Sequence, residues 1–147
     1  MATRNGSAQW NGNLMDGSGT VTVGDGVWSG DYSFASRFED GDGTNPEELI
    51  AAAHAGCFTM ALSGQLSNDG HAPNSIKTTA RVQIRNVDGL PTIDNIKLET
   101  EGDVPGIDQA TFEEEAEAAR GGCAVSRALA GVKEIEVSAR LKPGAPT

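Results

Sequence analysis

Apolar and polar side chains alternate along much of this chain. Ile76, Thr78, Ala80, Val82 and Ile84 fall on one side, and Lys77, Thr79, Arg81, Gln83 and Arg85 on the other. That is the period-two signature of a strand with one buried face. Asp88-Gly89 marks a turn, after which Ile96 and Leu98 continue the inward face and Lys97 and Glu99 the outward one. The last strand sets Ile135, Val137, Ala139 and Leu141 against Glu134, Glu136, Ser138 and Arg140. Between these strands the spacing turns helical after Pro105-Gly106. Asp108 or Thr111 is the expected cap and Gly121-Gly122 the stop, and a short helix follows from about Cys123 to Gly131.

The first part of the chain reads differently. Many of the 19 glycines lie before Asn45 and punctuate short candidate strands over Ser7–Asn11, Gly19–Val23 and Val27–Tyr32. Glu39–Gly43 is an acidic, glycine-rich loop. Trp10 and Trp28 are expected to pack on a sheet face.

A strong helix start comes next. Asn45 suits the N-cap, Pro46 the first helical position, and Glu48 the third, where it can close a capping box. The helix is expected to run to about Leu66 and to end over Ser67-Asn68-Asp69-Gly70. From Leu49 to Asn68, LIAAAHAGCFTMALSGQLSN, there is no Asp, Glu, Lys or Arg. A helix with no charged face must be covered nearly all round, and one small sheet cannot do that. Small Ala and Gly side chains allow close approach, so a second subunit is the expected cover and the protein a homodimer.

The element order is therefore βββ-α-ββ-αα-β, an α+β fold with antiparallel sheet and a long buried central helix, built as a single domain over 1–147. The 21 acidic against 11 basic residues give a net charge of −10. That argues against nucleic-acid and anionic-membrane surfaces, which need clustered Lys and Arg. Leu49–Asn68 is long enough to span a bilayer, but His54, Gln65 and its small residues fit a buried helix better. MATRNGSAQW lacks the apolar run of a secretory signal. With only two cysteines, a cytoplasmic protein is expected.

Those cysteines carry the candidate chemistry. Cys57 sits in the middle of the uncharged run, and Cys123 follows a Gly-Gly pair. Two thiols are what a redox catalyst needs, and two buried thiols are also ordinary core residues. A nucleophilic Cys57 needs a cation beside it. His54, three residues back on the same helical face, is one candidate. Arg37, a lone charge within Phe34-Ala35-Ser36-Arg37-Phe38, is the other and hints at an inward-facing anion. Cys123 opens a helix, where unpaired N–H groups and the helix dipole favour a thiolate. A disulfide between the two would close a 66-residue separation and stabilise by roughly 4 kcal/mol in the chain-entropy model. Glu47, unlike Glu48, has no capping role. It lies about 15 Å along the helix from Cys57, at 1.5 Å per residue. It can serve Cys57 only through Arg37 or from a partner subunit, which suggests a site shared across a dimer.

Other signals are weak. Asp40-x-Asp42-x-Thr44 opens like a calcium loop but lacks its later Gly and Glu. Gly17-x-Gly19 is no dinucleotide fingerprint, one nearby His does not make a zinc site, and there is no G-x-S-x-G elbow.

The segment Gly43-Thr44-Asn45-Pro46-Glu47-Glu48-Leu49-Ile50-Ala51-Ala52-Ala53-His54-Ala55-Gly56-Cys57-Phe58 resembles the hallmark of the OsmC/Ohr family, the osmotically inducible protein C and organic hydroperoxide resistance proteins. Gly122-Cys123-Ala124-Val125-Ser126 resembles the family's second-cysteine segment, and Arg37-Phe38-Glu39 is similar to the OsmC branch. The resemblance extends over nearly the whole chain. It implies an OsmC-like fold, an intertwined homodimer and a cysteine-based peroxidase acting on organic hydroperoxides and, less well, on hydrogen peroxide, in oxidative or osmotic stress defence. It implies Cys57 as the peroxidatic and Cys123 as the resolving cysteine, with Arg37 as the activating cation and Glu47 as its carboxylate partner. Phe58, Met60 and Phe38 are expected to receive an alkyl tail. An external dithiol, of lipoyl type or another, is the implied reductant, and no metal, flavin or haem is needed. Two departures are Ala124 where Pro is common, which changes the stiffness of the Cys123 turn, and Gly56 in place of Ala.

Two rival readings use the same pattern. A hot-dog-like acyl thioesterase would employ Glu47 or His54 as base and leave both thiols idle. A non-enzymatic small-molecule or lipid-binding module would carry both cysteines as spectators.

Overall fold

A computed structural model describes residues 1–143, and its chain divides into two compact units, Met1–Leu49 and Ile50–Thr147. The first unit is an antiparallel meander of β1 (Gly6–Asn11), β2 (Ser18–Val23) and β3 (Trp28–Tyr32). Gly24 and Gly26 take positive φ in the β2–β3 turn, as the glycine punctuation requires. Gly19 pairs with both Trp10 and Tyr32, and a Cβ there would lie 2.6 Å from the Trp10 ring and 2.5 Å from the Tyr32 ring. Its bare backbone lets the two rings meet edge to face with centroids 5.3 Å apart. Trp10 therefore packs as expected, and Trp28, though 46% exposed, also lies on the sheet, its ring over Gly30, where a Cβ would come within 2.4 Å of it.

A five-residue helix, α1 (Phe34–Phe38), follows where the sequence suggested only an apolar approach to the long helix. Ser33 caps it: the Ser36 N–H donates to the Ser33 hydroxyl oxygen at 3.1 Å and the Ser33 N–H to the Ser36 oxygen at 2.8 Å. The long helix α2 (Pro46–Asn68) starts where predicted, with the Glu48 N–H donating to Asn45 Oδ1 at 2.8 Å. The Glu48 carboxylate, expected to complete the box, accepts instead from the Thr44 hydroxyl at 3.2 Å.

The second unit holds the core. β4 (Ser75–Val87) and β5 (Leu90–Asp103) form a hairpin, with Asp88 and Gly89 at φ 53° and 84°, the left-handed pair that a two-residue turn needs. α3 (Gln109–Gly122) is capped by Asp108, whose carboxylate accepts from the Thr111 N–H at 2.8 Å. α4 (Ala124–Ala128) and β6 (Glu134–Leu141) complete it. The inward faces of β4 and β6 alternate as the sequence predicts. One pairing differs from the antiparallel sheet expected: β6 runs parallel to β5. Two intervening helices return the chain to the end of the sheet from which β5 started, and a side-chain period of two carries no information on direction.

Phe58, Leu62 and Leu66 of α2 pack with Leu98, Val104, Phe112, Ala116, Ala119 and Cys123. Fully burying each large side chain contributes about 2 kcal/mol. Phe112 lies close over Gly102, where a Cβ would come within 2.5 Å of its ring. The opposite face of α2, with Ala52, Gly56, Met60 and Gly64, is exposed in the single chain. α2 is thus long and apolar enough to cross a membrane, yet one stripe of it, His54, Phe58, Leu62 and Leu66, is core.

Candidate active site

Within the first unit, α1 presents Arg37 and the start of α2 presents Glu47. Arg37 Nη2 donates to Glu47 Oε1 at 2.8 Å, and its Nε donates to Oε1 at 3.1 Å and Oε2 at 3.2 Å. The inward-facing anion that the lone arginine hinted at is therefore Glu47, whose side chain is only 7% exposed. The two helix starts are tied by Ser36: its hydroxyl donates to the Thr44 carbonyl at 2.7 Å, and its own carbonyl accepts from Asn45 Nδ2 at 2.9 Å. The Arg37 guanidinium also lies 5.1 Å from the Phe38 ring centroid.

Within the second unit, Cys57 lies half-buried on α2 and packs against the core cluster. Cys123, 1% exposed, is the hinge residue between α3 and α4, with extended backbone at φ −70°, ψ 126°. Both thiols are free. Burial pushes the Cys123 thiol up, but the polar groups of Ser126, Cys57 and Val125 around it outweigh that and leave the thiol below its ordinary value. The fold thus places both cysteines, from distant parts of the chain, at one core cluster. Ala124, the first residue of α4, sits in the turn that orients Cys123.

His54, the other candidate cation for Cys57, has a different partner. It is fully buried, and its Nε2 lies 2.7 Å from Ser126 Oγ. Burial lowers its pKa and holds the ring neutral. Sequence reasoning singled out His54 but gave no role to Ser126; the available signal was its position one helical turn after Cys123.

The residues expected to receive an alkyl tail separate. Phe58 is fully buried in the core and offers no surface, whereas Met60 is 80% exposed and Phe38 43%. A groove of about 480 Å³ opens between α2 and the start of β4, lined by Gly56, Thr59, Met60, Ile76 and Thr78 among others. A run of hydroxyls leads inward from it: Thr59 donates to Thr78 at 2.7 Å, and Thr78 and Thr100 share a bond of 3.0 Å. Among the described residues no three His, Cys, Asp or Glu side chains gather as metal ligands would.

The chain has relatives among known proteins. Residues 39–138 match the family described as OsmC-like protein. The chain is 46% identical over 140 residues to the peroxiredoxin OsmC of Escherichia coli (strain K12), covering 95% of this chain and 96% of that one. It is 34% identical over 101 residues to an organic hydroperoxide resistance protein of Xanthomonas axonopodis pv. citri, covering 67% and 68% respectively. The crystal structure of the organic hydroperoxide resistance protein OhrB of Bacillus subtilis superposes with a TM-score of 0.71 at 26% identity, over 94% of this chain and 98% of that one.

Proposed function

We infer that this chain, which belongs to the OsmC-like protein family, is a cysteine-based peroxidase that reduces organic hydroperoxides and, less efficiently, hydrogen peroxide. The observation that carries this reading is the position of Cys57 and Cys123: two free thiols, one half-buried and one buried, from distant segments that pack into one core cluster. The Cys57 thiolate attacks the outer oxygen of the peroxide; the O–O bond breaks, the alcohol leaves with a proton, and Cys57 becomes a sulfenic acid. Cys123 condenses with it, expelling water and forming a disulfide. An external dithiol, of lipoyl type or another, then restores both thiols by two exchanges.

Arg37 is the cation of this scheme. It stabilises the Cys57 thiolate and polarises the peroxide oxygens, while Glu47 fixes its orientation through the bidentate contact. The engagement of His54 with Ser126 supports Arg37 over His54 for that role. We read residues 1–147 as one functional domain, acting in the cytoplasm in oxidative or osmotic stress defence. The protein works as an intertwined homodimer, and the exposed small-residue face of α2 supports a second copy there. Peroxide consumption with a dithiol tests the reading: it collapses in Cys57→Ser, and full activity in that variant removes the mechanism.

A further inference from the structure

We propose that Ser126 and His54 form a proton relay that readies Cys123 for its attack on the Cys57 sulfenic acid. This rests on the reading above, in which Cys123 is the resolving thiol. A thiol must shed its proton to attack, and Cys123, 1% exposed, is out of reach of a base in solution. A base must therefore come from the protein. Cys123 caps the N-terminus of α4 and Ser126 is the third residue of that helix, one turn on, while Ser126 Oγ lies 2.7 Å from His54 Nε2. Hydroxyl and imidazole thus link the first turn of α4, which Cys123 caps, to α2, with Cys57 three residues beyond His54 on the same helix.

The imidazole is an expensive way to fill that space. His54 is 0% exposed, and its Nδ1 has no hydrogen-bond partner among the described residues. An unpartnered buried polar atom destabilises a fold, and an apolar side chain would pack there without it. A ring nitrogen that handles a proton explains the choice. Burial keeps His54 neutral at rest, so Nε2 is free to accept, and it keeps the imidazolium short-lived, so the proton returns.

The step balances within the protein. As the Cys123 proton passes to Ser126 Oγ, the hydroxyl proton of Ser126 passes to His54 Nε2. The thiolate attacks the Cys57 sulfur; the S–S bond forms and the S–O bond breaks. The departing hydroxide takes up one proton and leaves as water, and His54 gives up its proton and returns to the neutral state. Cys123 supplies the electron pair that reduces the sulfenic sulfur, and no outside oxidant or reductant enters.

A single-turnover experiment tests the relay. Reduced protein is mixed with one equivalent of cumene hydroperoxide and no dithiol. Sulfenic acid is followed by trapping with dimedone, and the disulfide by quenched mass spectrometry. Ser126→Ala is expected to slow disulfide formation by about a hundred-fold, the lower range for a proton-transfer group, while sulfenic acid still forms. Ser126→Thr, which keeps the hydroxyl, restores the rate to within about five-fold of wild type, well inside that loss. His54→Asn repeats the Ser126→Ala defect, and the double variant is no slower than either single one. Disulfide formation at the wild-type rate in Ser126→Ala, failure of threonine to rescue, or additive single defects overturns the relay. Recovery of both wild-type cysteines as unmodified thiols, with the peroxide unconsumed, instead overturns the peroxidase reading and the relay with it.

Discussion

Arg37 grips Glu47 with two nitrogens, Nη2 at 2.8 Å and Nε at 3.1 Å, across ten residues of chain. A guanidinium so held has one orientation, fixed by the α1–α2 junction and by the Ser36 contacts on either side of it. Lysine would keep the charge and lose the fork. Arg37→Lys is therefore expected to lower kcat/KM for cumene hydroperoxide by about a hundred-fold, the cost of misplacing a positioned group. Glu47→Gln, which keeps one acceptor oxygen, falls less. Steady-state peroxide consumption at matched far-UV dichroism checks both, and an unimpaired Arg37→Lys contradicts the role given to the arginine.

His54 predicts a pH dependence of stability. Its folded pKa lies below the ordinary 6.5, so between those two values the unfolded chain binds a proton that the folded chain does not. This contribution to stability is fully present above 6.5 and is lost as pH falls toward the folded value. Urea midpoints at pH 7.5 and pH 5 should therefore drop further in the wild type than in His54→Asn, which has no such proton to bind. Equal drops in the two proteins contradict a neutral buried imidazole.

The helix starts and hairpin turns were legible in the sequence because their chemistry is local. Asn45, Pro46 and Glu48 announce α2, and Asp88-Gly89 announces the β4–β5 turn. α1 was missed because five residues are too few to show a period; only the Ser33 and Ser36 pair marked it. The direction of β6 was misread because alternation is the same in parallel and antiparallel strands. In the candidate site, Cys57, Cys123, Arg37 and Glu47 could each be singled out from residue type and position, and their separate roles only from the family resemblance. Contacts made by tertiary packing could not be. His54 and Ser126 stand 72 positions apart, and nothing in their spacing announces a bond.

Gly56 and Gly64 bear on the homodimer. A Cβ at either would meet nothing within 4 Å in the single chain, so the chain itself gives no reason for glycine inside a helix. In a lone chain Gly64→Ala would stabilise the helix by about 1 kcal/mol. With a second copy packed on that face, Gly64→Leu pushes the copies apart. Sedimentation equilibrium is expected to show a dimer for the wild type and a monomer for Gly64→Leu, with helix content retained. A wild-type monomer, or a Gly64→Leu dimer of unchanged affinity, contradicts packing on this face.

The central claim is that peroxide drives the sulfur of α2 and the sulfur of the α3–α4 hinge into a covalent bond. Mass spectrometry of the protein after one equivalent of cumene hydroperoxide tests it most directly. Loss of two hydrogens, with the Cys57 and Cys123 peptides joined, is the expected result. Both peptides recovered as unmodified thiols, with the peroxide unconsumed, would contradict it and leave the cysteines as spectators of a binding protein or a thioesterase.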